Sequence, residues 1–168
     1  QDQKDYAVCF GVEPEIWQKA EDNQYVPETS LTETEIRMPG GHLTIAQLIA
    51  LLNTIPMEIT FVDVDNINRF FNEGPKDFKR PGMAIDREVF SCHPPKIEST
   101  VRRIIGEFRA GALDEVPIWM DKNGKCMLVR YMAVRDKEGK YLGTLELVQD
   151  MGFAKEHFQP EKRQEEIW

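Results

Sequence analysis

Two adjacent residues with reactive side chains, Cys92 and His93, stand directly before Pro94-Pro95. Proline suits a first helical turn, and Ile97, Val101, Ile104, Ile105 and Phe108 follow at helical spacing, so the pair lies at the start of a helix that Gly111 stops. The positive end of a helix dipole disfavours imidazolium, and His93 there would be a neutral, metal-competent imidazole. The alternative is a histidine bonded to nearby backbone that stiffens the turn leading into the helix. For Cys92 the same dipole favours a reactive thiolate, against which stands a small buried apolar residue. A thiol enzyme built on both would need them to converge. Neighbours on an extended segment before proline point apart, and no orienting carboxylate is identifiable.

Other chemistry has less support in the residues. Cys9, Cys92 and Cys126 are odd in number and form no Cys-x-x-Cys pair, which fits neither a disulfide framework nor a structural zinc site and makes the cytoplasm the default compartment. His42 and His157 have no spacing that joins them to these cysteines. Asp63-Val64-Asp65-Asn66 has the look of a calcium loop but lacks the glycine and distal glutamate, and reads as a hairpin turn. No nucleophile, phosphate-loop or metal signature appears, so the expectation is a protein that is not an enzyme. Twenty-one basic against twenty-nine acidic residues give a formal charge of −8, which repels phosphate backbones and anionic lipid; neither nucleic acid nor membrane is an expected partner. No apolar run approaches the roughly 18 residues of a span. The N-terminus lacks a signal-peptide pattern, and the start at Gln1 without a methionine suggests a fragment of a longer protein whose other domains are its partners.

The elements that would position these residues can be read from periodicity. Residues 1–43 form an extension, polar and acidic, with a helix suggested around Glu13 to Glu21. Thr44 is a plausible N-cap for a helix with Ile45, Leu48, Ile49, Leu51 and Leu52 as its apolar face, ended by Asn53 to Pro56. Ile59 to Asp63 and Ile67 to Phe71 read as a hairpin. Residues 73–92 are irregular, with short helical turns suggested between Ala84 and Phe90. After the long helix come three strands, Glu115 to Met120, Lys125 to Arg135 and Tyr141 to Gln149, the first two joined through Asn123-Gly124. Residues 152–168 form a charged tail, expected to be helical. The order predicts an α+β fold: an antiparallel sheet with helices packed on one face. Because strand 126–134 is apolar on both alternating sets, both faces of the sheet need cover, and the segments Glu13 to Glu21 and Thr44 to Asn53 are expected to supply it and to mediate a homodimer.

Two strands, short helices, a long helix and a three-strand meander resemble the PAS arrangement of a five-stranded sheet. "LNTIPMEITFVDV", Leu52 to Val64, resembles the "LPxDITFVD" opening of a PAS-like subfamily found at the C-terminal end of longer bacterial proteins of unknown function, often behind haemerythrin-like domains. "SCHPPK", Ser91 to Lys96, resembles its "NCHPPK", and Tyr131 to Asp150 resembles its closing strands. The PAS-like domain is thus placed at residues 44–151. Asp86 stands where relatives usually carry glycine, and Asp150-Met151-Gly152 replaces the usual Asp-Ile-Thr ending.

The resemblance implies a sensory module that holds a small molecule or haem in its core and signals to attached domains, the rivals being a ligandless dimerisation module and the thiol enzyme. It places the helix after His93 along the pocket wall, making His93 the candidate haem-iron ligand. Cys92, Phe61, Trp119, Tyr131, Met127, Met132 and Arg130 are the other candidate pocket residues. In the haem reading Phe61, Met127, Met132 and Leu145 pack on the porphyrin and Arg130 or Arg135 meets a propionate.

Overall fold

The computed structural model of the chain describes residues 32–74, 76–78 and 82–159. The helix suggested at Glu13 to Glu21 and the tail from residue 160 onward lie outside them. Pro39-Gly40 turns the chain between two short strands, β1 (Glu35–Met38) and β2 (Gly41–Thr44), paired from Glu35↔Thr44 to Met38↔Gly41. This hairpin falls in the stretch expected to be a plain extension. All four residues of β1 are exposed, so no buried alternation marks it as a strand.

Helix α1 (Ile45–Thr54) starts where expected. The Thr44 hydroxyl accepts the Gln47 N–H at 3.1 Å while the Gln47 side chain accepts the Thr44 N–H at 3.0 Å, a reciprocal cap. Ile55 ends it in extended backbone, as a residue before proline must be. None of its residues is buried. Hydrogen bonds tie its end to the body: Asn72 donates to Leu52 O, and Asn53 and Glu73 bond each other twice, at 2.7 and 3.0 Å. Of its expected apolar face, Ile45, Leu48 and Leu52 are half-buried while Ile49 and Leu51 are exposed.

Strands β3 (Glu58–Asp63), β4 (Asn68–Phe71), β5 (Glu115–Lys122), β6 (Lys125–Arg135) and β7 (Tyr141–Asp150) form one antiparallel sheet in the order β4-β3-β7-β6-β5. The first and last strands of the domain thus meet at its centre. Asn123 and Gly124 both take left-handed backbone, φ +53° and +78°, which is what a two-residue hairpin turn needs. Asp86 also has φ +62°, a conformation that glycine adopts without steric cost and that aspartate tolerates better than most residues. Here the Asp86 carboxylate accepts from Arg69 at 2.7 Å.

Helix α2 (Pro95–Arg109) begins at Pro95 and packs Val101, Ile104, Ile105 and Phe108 against the sheet. These four sit at i, i+3, i+4 and i+7, one stripe of the helix, and burying each is worth about 2 kcal/mol before entropy is counted. Val101 and Ile105 join Val62, Val89 and Phe90; Ile104 and Phe108 join Tyr141. Two 3₁₀ turns, Gly82–Ala84 and Val89–Cys92, lead into α2. A short helix, α3 (Gly152–His157), follows β7 and leaves Phe153 and the next aromatic, Phe158, exposed.

Candidate functional site: the sheet face beneath α2

Strand register decides which residues share the face under α2. Val62 of β3, Val129 of β6 and Val148 of β7 belong to its apolar clusters, and alternation places Glu58, Thr60, Thr144 and Glu146 on the same face. Thr60 lies opposite Glu146, Glu146 opposite Tyr131, and Tyr131 opposite Val116, one row across four strands. Glu58 lies opposite Val148 in the next row, diagonal to Glu146. Glu58, Thr60, Thr144 and Glu146 are all buried. Burying a carboxylate costs several kcal/mol unless polar groups compensate it, so two of them on an inward face are not what core packing alone selects.

The chain covers this face from two sides. Residues 76–78 cross it near the β5–β6 turn: the Glu58 carboxylate accepts the Asp77 N–H, Lys125 reaches the Asp77 carboxylate at 2.7 Å, and Phe78 packs against the Met127, Val129 and Val148 cluster. Lys122 Nζ lies 3.6 Å from the centre of the Phe78 ring. On the other side, Val89 and Phe90 cover Val62, and the Arg102 guanidinium sits 3.8 Å over the Phe90 ring. The polar row therefore lies between two apolar clusters. At its edge the Tyr141 hydroxyl and Thr144 Oγ1 are 2.7 Å apart.

The residues singled out from the sequence are divided by this geometry. Tyr131 and Met127 belong to the face beneath α2, Met127 packed with Val129 and Val148. Phe61, Trp119, Met132, Arg130 and Leu145 alternate with that set and belong to the opposite face, Trp119 with 65% of its surface exposed. Arg130 Nε is 2.7 Å from Glu115 Oε1, and this bond holds the Glu115 carboxyl below its ordinary pKa. Arg135 bonds Asp114 and donates to the Phe108 and Leu113 carbonyls, closing the end of α2. Cys92 ends the second 3₁₀ turn, and His93 follows in extended backbone. His93 Nδ1 donates to the Val89 carbonyl at 2.9 Å, the backbone-bonded arrangement that stiffens the approach to α2. No single cavity wall contains all eight candidates.

Glu58, Thr60, Thr144 and Glu146 were missed, and the reason is instructive. Glu58-x-Thr60 and Thr144-x-Glu146 alternate with Ile59, Phe61, Leu145 and Leu147, a pattern that ordinarily turns the polar set to solvent. The only signal in the sequence is that both patterns occur on strands long enough to be central.

A five-stranded antiparallel sheet crossed on one face by short helical turns and one long helix is a PAS-like α+β fold. The PAS domain family matches residues 48–152, and the chain belongs to that family. A crystal structure of a C-terminal domain from Streptococcus mutans is 37% identical, covering 74% of this chain and 98% of that chain, with a TM-score of 0.70. A PAS domain from Colwellia psychrerythraea is 13% identical over 63% of this chain and 95% of that one, with a TM-score of 0.47. The Aer2 receptor from Vibrio cholerae, described as a dual PAS-haem oxygen sensor, is 16% identical over 56% of this chain and 94% of that one, with a TM-score of 0.41. The last two carry no functional argument. No curated protein matches the chain. Among the described residues no helix is long and apolar enough to cross a membrane, and no group of three or more His, Cys, Asp or Glu is placed to hold a metal ion.

Proposed function

We propose that this PAS domain is a sensory module, not an enzyme, that takes a polar small molecule on the sheet face beneath α2 and passes the resulting change to attached domains. The observation that supports it is the polar row of buried Thr60 and Glu146 with half-buried Tyr131, set between apolar clusters under a cover made of irregular chain. Apolar walls with a few convergent polar groups are what a small-ligand site requires, the apolar part excluding water and the polar part fixing orientation. The motifs at Leu52 to Val64 and Ser91 to Lys96 support placing the domain at the C-terminal end of a longer bacterial protein, as does the description of the Streptococcus mutans structure as a C-terminal domain.

Haem is the weaker reading. It rests on His93, whose Nδ1 bond to the Val89 carbonyl is of the kind that metal-ligating histidines make through the nitrogen that does not bind the metal. Of the residues expected on the porphyrin, Phe61, Met132 and Leu145 lie on the opposite sheet face and Met127 is enclosed by Val129 and Val148. These residues do not gather as a haem site.

Native mass spectrometry and an absorption spectrum of the purified chain, followed by a thermal-shift screen of polar small molecules, test the proposal. A ligand at 100 times its Kd stabilises by about 2.7 kcal/mol. The expected result is a bound species or a stabilising compound whose effect is lost in Glu146→Gln and Thr60→Val. A compound whose effect survives both substitutions, or no ligand by any route, would reject the site and leave a filled-core dimerisation module. A Soret band removed by His93→Ala would establish haem instead.

A further inference from the structure

The two sides of the cover over the sheet face are fastened in different ways. On the Val89 side the chain is held by its backbone. Asn68 N–H donates to Arg87 O and Asp86 N–H to Asn68 O, both at 2.9 Å, Val89 N–H donates to Asn66 O at 2.8 Å, and Ile67 is bridged to Glu88. These bonds continue the sheet past the free side of β4. On the other side, residues 76–78 are held by side chains. Lys76 Nζ donates to Asn72 O, the Asp77 N–H donates to the Glu58 carboxylate, Lys125 Nζ donates to the Asp77 carboxylate, and Lys122 Nζ lies against the Phe78 ring.

The two lysines give a reason for the chain to cross at this point. Lys122 ends β5, Lys125 begins β6, and they stand directly opposite each other, on the same face as Met120 and Met127. Like charges facing across a strand pair are destabilising. The Asp77 carboxylate, 2.7 Å from one, and the Phe78 ring, centred 3.6 Å from the other, offset that repulsion. The bond to Asp77 and that group's charge, with the charges of Asp150 and Glu58 behind them, raise the Lys125 pKa above its ordinary value against the opposing effect of burial. Glu58 in turn joins this corner to the site, because its carboxylate is buried on the inward face and accepts the Asp77 N–H.

We propose that residues 76–78 are an ionically latched strap over the site, released from the β5–β6 turn to admit a ligand, with Glu58 coupling an occupant to the strap. The inference rests on the ligand site proposed above. Side-chain contacts decide which side opens: Lys125 and Asp77 are 50% and 32% exposed, so salt screens their attraction, whereas a backbone ladder carries no net charge to screen. One exposed ion pair and one cation–π contact together hold a segment shut by a factor of about ten.

Amide hydrogen exchange, read by NMR on the full 168-residue chain, measures the opening without a ligand. When Lys122→Gln and Lys125→Gln are combined, or the parent is placed in about 1 M salt, the Asp77 and Phe78 amides should exchange about tenfold faster. The amides of β6, β7 and Val89 should keep their rates. Asp77→Asn should act as Lys125→Gln does, and joining these two should add nothing, since both break one contact. Asp77 and Phe78 rates that ignore salt and the substitutions, or a rise shared by the whole sheet, would overturn the strap. Indole, a small apolar probe with one N–H donor, is then titrated and located by the methyl signals of Met127, Val129 and Val148. Its on-rate should rise by the same factor in the double variant. Equal on-rates in the two proteins overturn the strap as an entrance and leave the site standing. Methyl signals indifferent to indole and to the compounds screened above overturn the site, and the strap with it.

Discussion

Replacing Asn72 by alanine should destabilise the domain more than any other single truncation outside the apolar core. The residue is only 3% exposed and its side-chain amide continues the β3–β4 ladder one step past the end of β4. Its own N–H donates to Ile59 O at 3.1 Å, and its Oδ1 accepts the Ile59 N–H at 2.8 Å, standing in for the next backbone carbonyl. Its Nδ2 donates to Met57 O at 2.8 Å and Leu52 O at 3.2 Å, so one side chain joins β3, β4 and the end of α1. Alanine leaves a buried Ile59 N–H without its acceptor, a cost of about 1–3 kcal/mol, and removes two further bonds worth about 1 kcal/mol each at most. Water can reach the two carbonyls, so the sum is about 3 kcal/mol. For a chain of this size that lowers Tm by roughly 5–15 °C. Asn72→Asp separates the halves of the amide: the acceptor for Ile59 is kept, but an oxygen now faces two carbonyls, and the loss should equal that of alanine or exceed it despite Lys76 at 3.0 Å. Thermal unfolding by circular dichroism gives the shift, and hydrogen exchange should show the last turn of α1 released first. A Tm change under about 3 °C for alanine, or tolerance of aspartate, would refute the assignment of the side chain as a ladder extension.

Two further outcomes follow from the sheet centre and its turn. A Cβ added at Gly143 would lie 2.3 Å from the Val62 carbonyl oxygen and 2.8 Å from the Phe61 ring, so Gly143→Ala must push β3 and β7 apart and should cost about 3 kcal/mol or prevent folding; a Tm within 2 °C of the parent would show that the strands yield. For Asp63, burial pushes the carboxyl pKa up, but hydrogen bonds from Arg69 and from the Ile67 and Asp65 amides outweigh it and hold the group below its ordinary value. A depressed folded pKa means the stabilisation is present above the unfolded value near 3.9 and is lost as pH falls through the folded one. The stability gap between the parent and Asp63→Asn should therefore close below about pH 4, and a gap constant down to pH 3 would contradict the cause given.

Local sequence determined much of this protein. Thr44 with Gln47 starts α1, Pro95 opens α2 and Gly111 closes it, and Asn123-Gly124 turns β5 into β6, each through backbone preferences or caps that act within a few residues. Motif order carried the PAS assignment, because the strand and helix sequence leaves few ways to pack one sheet. The β1–β2 hairpin was illegible because its strands bury nothing that would leave a pattern.

What only the tertiary structure decided is which way the strands face. Alternation in β3 and β7 separates Glu58, Thr60, Thr144 and Glu146 from Ile59, Phe61, Leu145 and Leu147, yet period two alone is silent about which set faces α2. That choice comes from the side on which α2 lies and from the pairing of β7 with β6 and with β3, the last joining residues as far apart as Glu58 and Val148. The same pairing sent Phe61, Trp119, Met132 and Arg130 away from Tyr131 and Met127. The residues were legible as chemistry, but their company was not, because a strand's two faces become unequal only when something packs on one of them.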